Sequence, residues 1–193
     1  MQIILASSSK YRIQLLDKSG INAFSKPPNI DESPLPKESP KALAARLSES
    51  KAKAIQAEYP NHLIIGSDQV ACVDGQILGK PGNLESAIGQ LTAARGKTAK
   101  FHTGLTLLNS RTGNVQTCVN TTTVIYRDLT DEEIRCYLEK EQPFDCAGSF
   151  KSEGLGIAIL QSINGSDPNA LVGLPIIELL TMLRNEGVNP LLD

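Results

Sequence analysis

Apolar and polar positions alternate along the chain in two rhythms, and the change from one to the other marks out the elements. Gln2 to Ala6 and Leu63 to Val70 are nearly continuous apolar runs, which read as strands buried on both faces. Between them, Tyr11 to Ser19 carries Ile13, Leu15 and Leu16 at helical spacing and stops near Gly20. Ser39-Pro40 opens a second helix with proline in its first turn, running to about Tyr59 before Pro60. Leu84 to Ala94 reads as a third helix, ended by Arg95-Gly96. Thr130-Asp131-Glu132-Glu133 is a capping box that starts a fourth, to about Glu141, and Gly173-Leu174-Pro175 opens a last one that reaches Asn185.

Strand signals fill the spaces between these helices. Asp74-Gly75 between apolar runs is a hairpin turn. His102 to Leu108 and Val115 to Tyr126 form a strand pair across a turn at Asn109 to Asn114, and Gly156 to Ile163 is a further strand. Phe24 to Pro40, rich in proline, serine and acids, is a loop; no composition shift follows it, so residues 1–193 are expected to form one domain. The mixture predicts an α/β fold with a central sheet.

The run Leu63-Ile64-Ile65-Gly66-Ser67-Asp68-Gln69-Val70 is expected to be a central strand that ends at its glycine. Ligands collect outside the carboxyl ends of such strands. Asp68 would then stand at that edge, where a carboxylate holds a divalent cation or orients a water.

Composition narrows the chemistry. The chain has 193 residues, 40% hydrophobic and 21% charged, with a net charge of −2, which gives no electrostatic reason for nucleic-acid or membrane-surface binding. No stretch approaches the roughly 20 apolar residues of a membrane span, and the first apolar run is too short for a signal peptide. A cytoplasmic protein is expected. Cys72, Cys118, Cys136 and Cys146 lie far apart without a C-x-x-C pair, so they read as scattered thiols. With only His62 and His102 present, a histidine metal cluster is excluded, and a Ser-His-Asp triad would need one of these two. His62 reads as a solvated loop residue. Any metal would be held by oxygen, which points to Mg²⁺ or Mn²⁺.

Several charged residues sit where they can meet a phosphate. Ser7-Ser8-Ser9 lies at a strand-to-helix junction, where helix N–H groups form an anion site, and Ser8 and Arg12 are one turn apart. A capping serine and a surface arginine are the simpler reading of the same pair. Asp31 or Glu32, in a stiff proline-rich loop, would supply a second carboxylate, or merely an exposed acidic loop. Lys51 interrupts the apolar stripe Ala44, Leu47, Ile55, either snorkelling or aimed into a phosphate site. Gly79-Lys80-Pro81 fixes Lys80 in a tight loop, and Cys146 to Gly154 suits a ligand-facing turn. Cations with carboxylates are what phosphoanhydride hydrolysis needs. No Walker-A sequence and no G-x-G-x-x-G after a strand is present.

Leu5-Ala6-Ser7-Ser8-Ser9 with Arg12, Asp31-Glu32, Glu49-Ser50-Lys51-Ala52, Gly66-Ser67-Asp68 and Gly79-Lys80-Pro81 together resemble the Maf family of nucleoside triphosphate pyrophosphatases. Asp167-Pro168-Asn169 and Gly173-Leu174-Pro175 extend the resemblance to the last helix. It implies a mixed α/β fold with an elongated curved sheet, a cleft between two lobes, and metal-dependent cleavage between the α and β phosphates. Carried over position by position, it matches Asp68 to the acid that takes the proton or holds the metal, Glu32 to the metal site, and Ser8, Arg12, Lys51 and Lys80 to phosphate. A small-molecule nucleotide partner and a homodimer also follow from it.

Gly66 to Gln69 and Ser149 to Gly154 look most like the 7-methyl-GTP branch, in which Tyr11, Gln69 and Glu153 match the positions that set substrate choice. A cationic methylated guanine stacks well on an aromatic face, and Glu153 offers acceptors to guanine N1–H and N2–H. Tyr11 stands where one member of the branch has tryptophan, and its simpler reading is a partly buried helix residue. A dTTP/UTP pyrophosphatase of the sister branch and a non-catalytic nucleotide-binding regulator of cell division are the alternatives.

Overall fold

The computed structural model describes residues 1–192. Among them are seven strands and five α-helices: β1 Gln2–Leu5, α1 Lys10–Lys18, β2 Ala23–Ser25, α2 Pro40–Ala54, β3 His62–Val73, β4 Gln76–Leu78, α3 Leu84–Ala94, β5 Thr98–Asn109, β6 Val115–Tyr126, α4 Asp131–Glu141, β7 Leu160–Asn164 and α5 Ile176–Asn185. All strands join one mixed sheet in the order β2-β1-β3-β5-β6-β7, with β4 also on β3. β1 pairs in parallel with β2 and β3, and the remaining pairs are antiparallel.

Strand periodicity divides the core. Leu63 and Ile65 face one side of the sheet with Ile3, Leu5, Leu105 and Leu107, where α1 and α5 supply Leu16, Leu179 and Leu183. Farther along the same face, Ala71, Phe101, Val124 and Tyr126 meet Leu91 of α3 and Ile134 and Leu138 of α4. These are two neighbouring cores on one face. The intervening side chains, Ile64 and Val70 among them, face α2.

Helix α2 lies unusually near the sheet because two glycines lie under it. A Cβ on Gly66 would come within 2.0 Å of the Ser48 carbonyl oxygen, and one on Gly104 within 2.1 Å of that of Ala44. Gly66 therefore does not end its strand as expected. It is a mid-strand contact point, and β3 runs on for seven more residues, to Val73. Asp68 is thus inside a strand rather than at its terminus.

The edge of β3 is open there for a different reason. Gln2 to Leu5 of β1 pair with His62 to Ile65, and β4 pairs only with Ala71 to Val73. Among the described residues, those between Ile65 and Ala71 have β5 on one side and no strand on the other. The sheet has a notch.

Other expectations meet small differences. β2 lies at the start of the stretch read as a loop, because Ala23 to Ser25 find the free edge of β1. α2 ends at Ala54 rather than near Tyr59. Part of the expected strand Gly156 to Ile163 is instead 3₁₀-helical, over Leu155–Ile159. His62 is half-buried at the start of β3, edge-on to Phe24 and Tyr59, not a solvated loop residue. Asp74 (φ 50°) and Gly75 (φ 80°) form the expected two-residue hairpin between β3 and β4.

Candidate active site

Neighbouring residues of a strand point to opposite faces, so Asp68 at the notch faces α2 while Ser67 and Gln69 face the other side. On the α2 side, the stripe Ala44, Leu47, Lys51, Ile55 is buried as a unit. Lys51 Nζ donates to Asp68 Oδ1 at 2.6 Å and lies 2.7 Å from Glu32 Oε1. The stripe is interrupted because its cation has two carboxylates to meet, so Lys51 does not snorkel.

Glu32 reaches this point from the proline-rich loop. Ile30 packs on Leu43, Ala44, Leu47 and Val70. Arg46 of α2 ties the loop down through Glu38, at 2.7 Å, and through the Ser33 carbonyl, at 2.9 Å. That arginine holds the Glu38 carboxyl near 2, far below the ordinary carboxylate range. Asp31, the other sequence candidate, accepts from Ser33 N–H and shapes the turn instead.

Arg12 fills the notch. Its Nη1 donates to the Ser67 carbonyl at 2.8 Å, a carbonyl on the unpaired edge of β3, and to Ser7 Oγ at 3.2 Å. Its Nε donates to the Gly173 carbonyl at 2.7 Å, on the face opposite α2. Burial lowers its pKa, and Asp68 and Glu32 oppose that shift. Ser9, not Ser8, caps α1, through Arg12 N–H. Ser8 is exposed at the same junction.

The sheet face away from α2 carries the remaining candidates. Gln69 Nε2 donates to the carbonyls of Ala170 and Leu171, both at 3.0 Å, and to Thr103 Oγ1 at 3.1 Å. Tyr11 is half-buried; Lys10 Nζ lies 5.1 Å from its ring centroid and Lys151 Nζ lies 6.0 Å away. Burial, with the nearby Cys146 and Asp145, raises the Tyr11 pKa against the pull of the two lysines. The residue thus meets the segment that carries Glu153. Glu153 itself is exposed and accepts from Ser152 Oγ.

Two groups the sequence reading passed over hold that segment. Glu141, at the end of α4, accepts from Lys151 Nζ at 2.7 Å and from Leu155 N–H at 2.6 Å, with Gly154 pressed against its carboxylate. Gln90 of α3 donates to the Gly79 carbonyl and accepts from Ser149 Oγ, tying the Lys80 loop to the same region. Neither has a motif; a lone acid at a helix end and a helix glutamine look like surface residues. Lys80 is exposed, and among the described residues no hydrogen bond or ion pair joins it to the Lys51 cluster.

The histidines form no triad. His102 Nδ1 pairs with Thr121 Oγ1, and burial, then Lys100 and Lys41, lowers its pKa; His62 pairs with the Pro60 carbonyl and Gln2.

The donor set at Lys51 suits a hard divalent cation. Oxygens of Glu32 and Asp68 converge on one cationic centre, the ammonium group, within 2.7 Å. Among the described residues no cluster of three His, Cys, Asp or Glu side chains is built for a metal. Two carboxylates with substrate oxygens are the usual magnesium arrangement in phosphate chemistry.

The family model described as Maf-like protein matches residues 2–186. A 7-methyl-GTP pyrophosphatase of Idiomarina loihiensis is 52% identical over 193 residues, 99% of this chain and 98% of that one. Proteins with the same name from Nitrosococcus oceani and Vibrio vulnificus are 52% and 50% identical, over 96% and 98% of this chain and 93% and 97% of theirs. Aligned from the first strand to the last helix, the chain belongs to the Maf family.

Proposed function

We propose that this protein hydrolyses 7-methyl-GTP to 7-methyl-GMP and diphosphate, as an enzyme acting on free modified nucleotides in the cytoplasm. The observation that carries the reading is Lys51, whose ammonium group gathers Asp68 and Glu32 beside an arginine-filled notch in the sheet. The relatives' names supply the substrate.

Arg12, Lys51 and Lys80 neutralise the triphosphate oxygens, with Ser8 and the first turn of α1 adding donors. When bound at Glu32 and Asp68, Mg²⁺ or Mn²⁺ supplies charge neutralisation and a more acidic water. Lys51 engages Asp68 Oδ1, so Oδ2 is the oxygen that would either hold the metal or take the proton from water. The water oxygen bonds to phosphorus, the α–β bridging bond breaks, and diphosphate leaves with its electron pair. On the opposite face, Tyr11 stacks on the cationic base, and Gln69 and Glu153 accept from its N–H edge.

The two faces fit a nucleotide draped over the β3 edge, its phosphates toward α2 and its base toward the segment bearing Glu153. Purified protein with Mg²⁺ is to be given 7-methyl-GTP, GTP, dTTP and UTP, and diphosphate measured. Preference for 7-methyl-GTP supports the reading, preference for dTTP or UTP supports the sister activity, and nucleotide binding without diphosphate release supports a regulator.

A further inference from the structure

Gln69 is an amide, and an amide presents different chemistry according to which end faces the ligand. Both hydrogens of its Nε2 point into protein oxygens: the carbonyls of Ala170 and Leu171 and the hydroxyl of Thr103. Thr103 stands directly across from Gln69 in the β3–β5 register and is fully buried. A hydroxyl has one hydrogen, and that of Thr103 goes to the Ala170 carbonyl at 2.8 Å. Its lone pairs therefore face Nε2. Turning the amide over would set Oε1 against three oxygens. In the observed orientation Oε1 receives no donor among the described residues, and it is not one of the sealed polar atoms around this half-buried side chain.

The segment that supplies these carbonyls lies where the two cores meet. Leu171 packs into the core under α3 and α4, while Leu174 packs into the core with α1 and α5. Two residues beyond Leu171, the Gly173 carbonyl accepts from Arg12 Nε and Ser67 Oγ. One short segment thus orients an acceptor on one side and a phosphate-binding cation on the other.

We infer that Thr103 is a positioning residue for base selection: by locking the Gln69 amide with Oε1 outward, it makes the site select bases that present N–H donors. This rests on the proposed nucleotide-hydrolysing function. With Glu153 as a second acceptor, the pair matches the adjacent N1–H and N2–H groups of guanine. A uracil or thymine base offers a single N–H between two carbonyls.

The test compares wild type with Thr103→Val, which keeps the shape, and Thr103→Ser, which keeps the hydroxyl. Two readouts are taken. The first is the NMR position and solvent exchange of the Gln69 side-chain amide protons, assigned by their loss in Gln69→Leu and recorded without nucleotide. The second is the kcat/KM ratio of 7-methyl-GTP to UTP. In Thr103→Val the amide protons should move toward free-amide positions and exchange faster. The ratio should fall about threefold to tenfold, the worth of one net hydrogen bond, and Thr103→Ser should restore both. Unmoved Gln69 amide signals in a folded Thr103→Val protein overturn the inference whatever the substrate. Wild type that cleaves neither nucleotide counts against the functional reading alone.

Discussion

Lys51 and Asp68 form the most buried ion pair in the site, 2.6 Å apart with side chains 9% and 12% exposed. Glu32, the second carboxylate partner of the same ammonium group, is 58% exposed. The three are unequal: removing Lys51 leaves a buried carboxylate alone, whereas removing Glu32 leaves the buried pair intact. Lys51→Met should lower stability by about 1–3 kcal/mol and abolish most activity. Glu32→Gln should leave the melting temperature nearly unchanged while raising the Mg²⁺ concentration needed for half-maximal rate. Thermal melts and metal titrations of both variants check this.

Gly66 is expected to be intolerant of a single methyl group, because the neighbour it would strike is the Ser48 carbonyl of α2. Backbone yields less readily than a side chain. Gly66→Ala should cost about 1–3 kcal/mol, a fall in Tm of roughly 3–10 °C. It should also lower kcat/KM, since shifting α2 moves Lys51. By contrast Gly89→Ala, on α3 with nothing within 4 Å of the added carbon, should be neutral or stabilising in the same melts.

Glu141 carries a pH prediction. Burial pushes its carboxyl up, but Lys151 and the Leu155 N–H together outweigh that and hold it below the ordinary 4.5. A carboxyl depressed in the folded state adds stability that is present above about pH 4.5 and lost as pH falls through the folded value. Wild type should therefore lose more stability than Glu141→Gln between pH 5 and 3, as read from urea midpoints. At pH 7.5 Glu141→Gln should raise KM for 7-methyl-GTP about threefold to tenfold, because Lys151 and Glu153 lose their anchor.

Tyr11 has Lys10 and Lys151 near its ring before any cationic base arrives. Lys151 is held by Glu141, but Lys10 is exposed. Lys10→Ala should improve kcat/KM for 7-methyl-GTP relative to GTP by about two- to fivefold, since a cation–π contact at an exposed site is worth about 0.5–1 kcal/mol. Equal effects on both nucleotides would place the base elsewhere.

Thiol reactivity gives an independent check on the segment near Tyr11. Burial, then Asp145 and Glu153, pushes the Cys146 thiol up to about 12, and burial pushes Cys118 to about 11. Cys136 is exposed. At pH 8 a disulfide reagent should titrate Cys136 first, and Cys136→Ser should leave only slow phases.

Much of this was legible in the chain because local signals agreed with the fold. The capping box at Thr130 and the Asp74-Gly75 turn lie where their spacing indicates, and α3 spans Leu84 to Ala94 as its periodicity does. Lys51 was visible as a break in an apolar stripe. The length of β3 was hidden because Gly66 looks like a stop in sequence but serves as a seat for a helix that is distant in the chain. The choice of Glu32 over Asp31 depended on Arg46, fourteen residues beyond Glu32. Thr103, Glu141 and Gln90 were invisible because each acts through tertiary hydrogen bonds to segments far away, and single polar residues leave no pattern.

The role of Asp68 is tested most directly by separating the products formed from 7-methyl-GTP and Mg²⁺ by wild type and by Asp68→Asn. Wild type should yield 7-methyl-GMP and diphosphate in equal amounts. The folded variant should be slower by a factor on the order of 10²–10⁴. Full activity in Asp68→Asn, or 7-methyl-GDP with inorganic phosphate from wild type, would contradict the account.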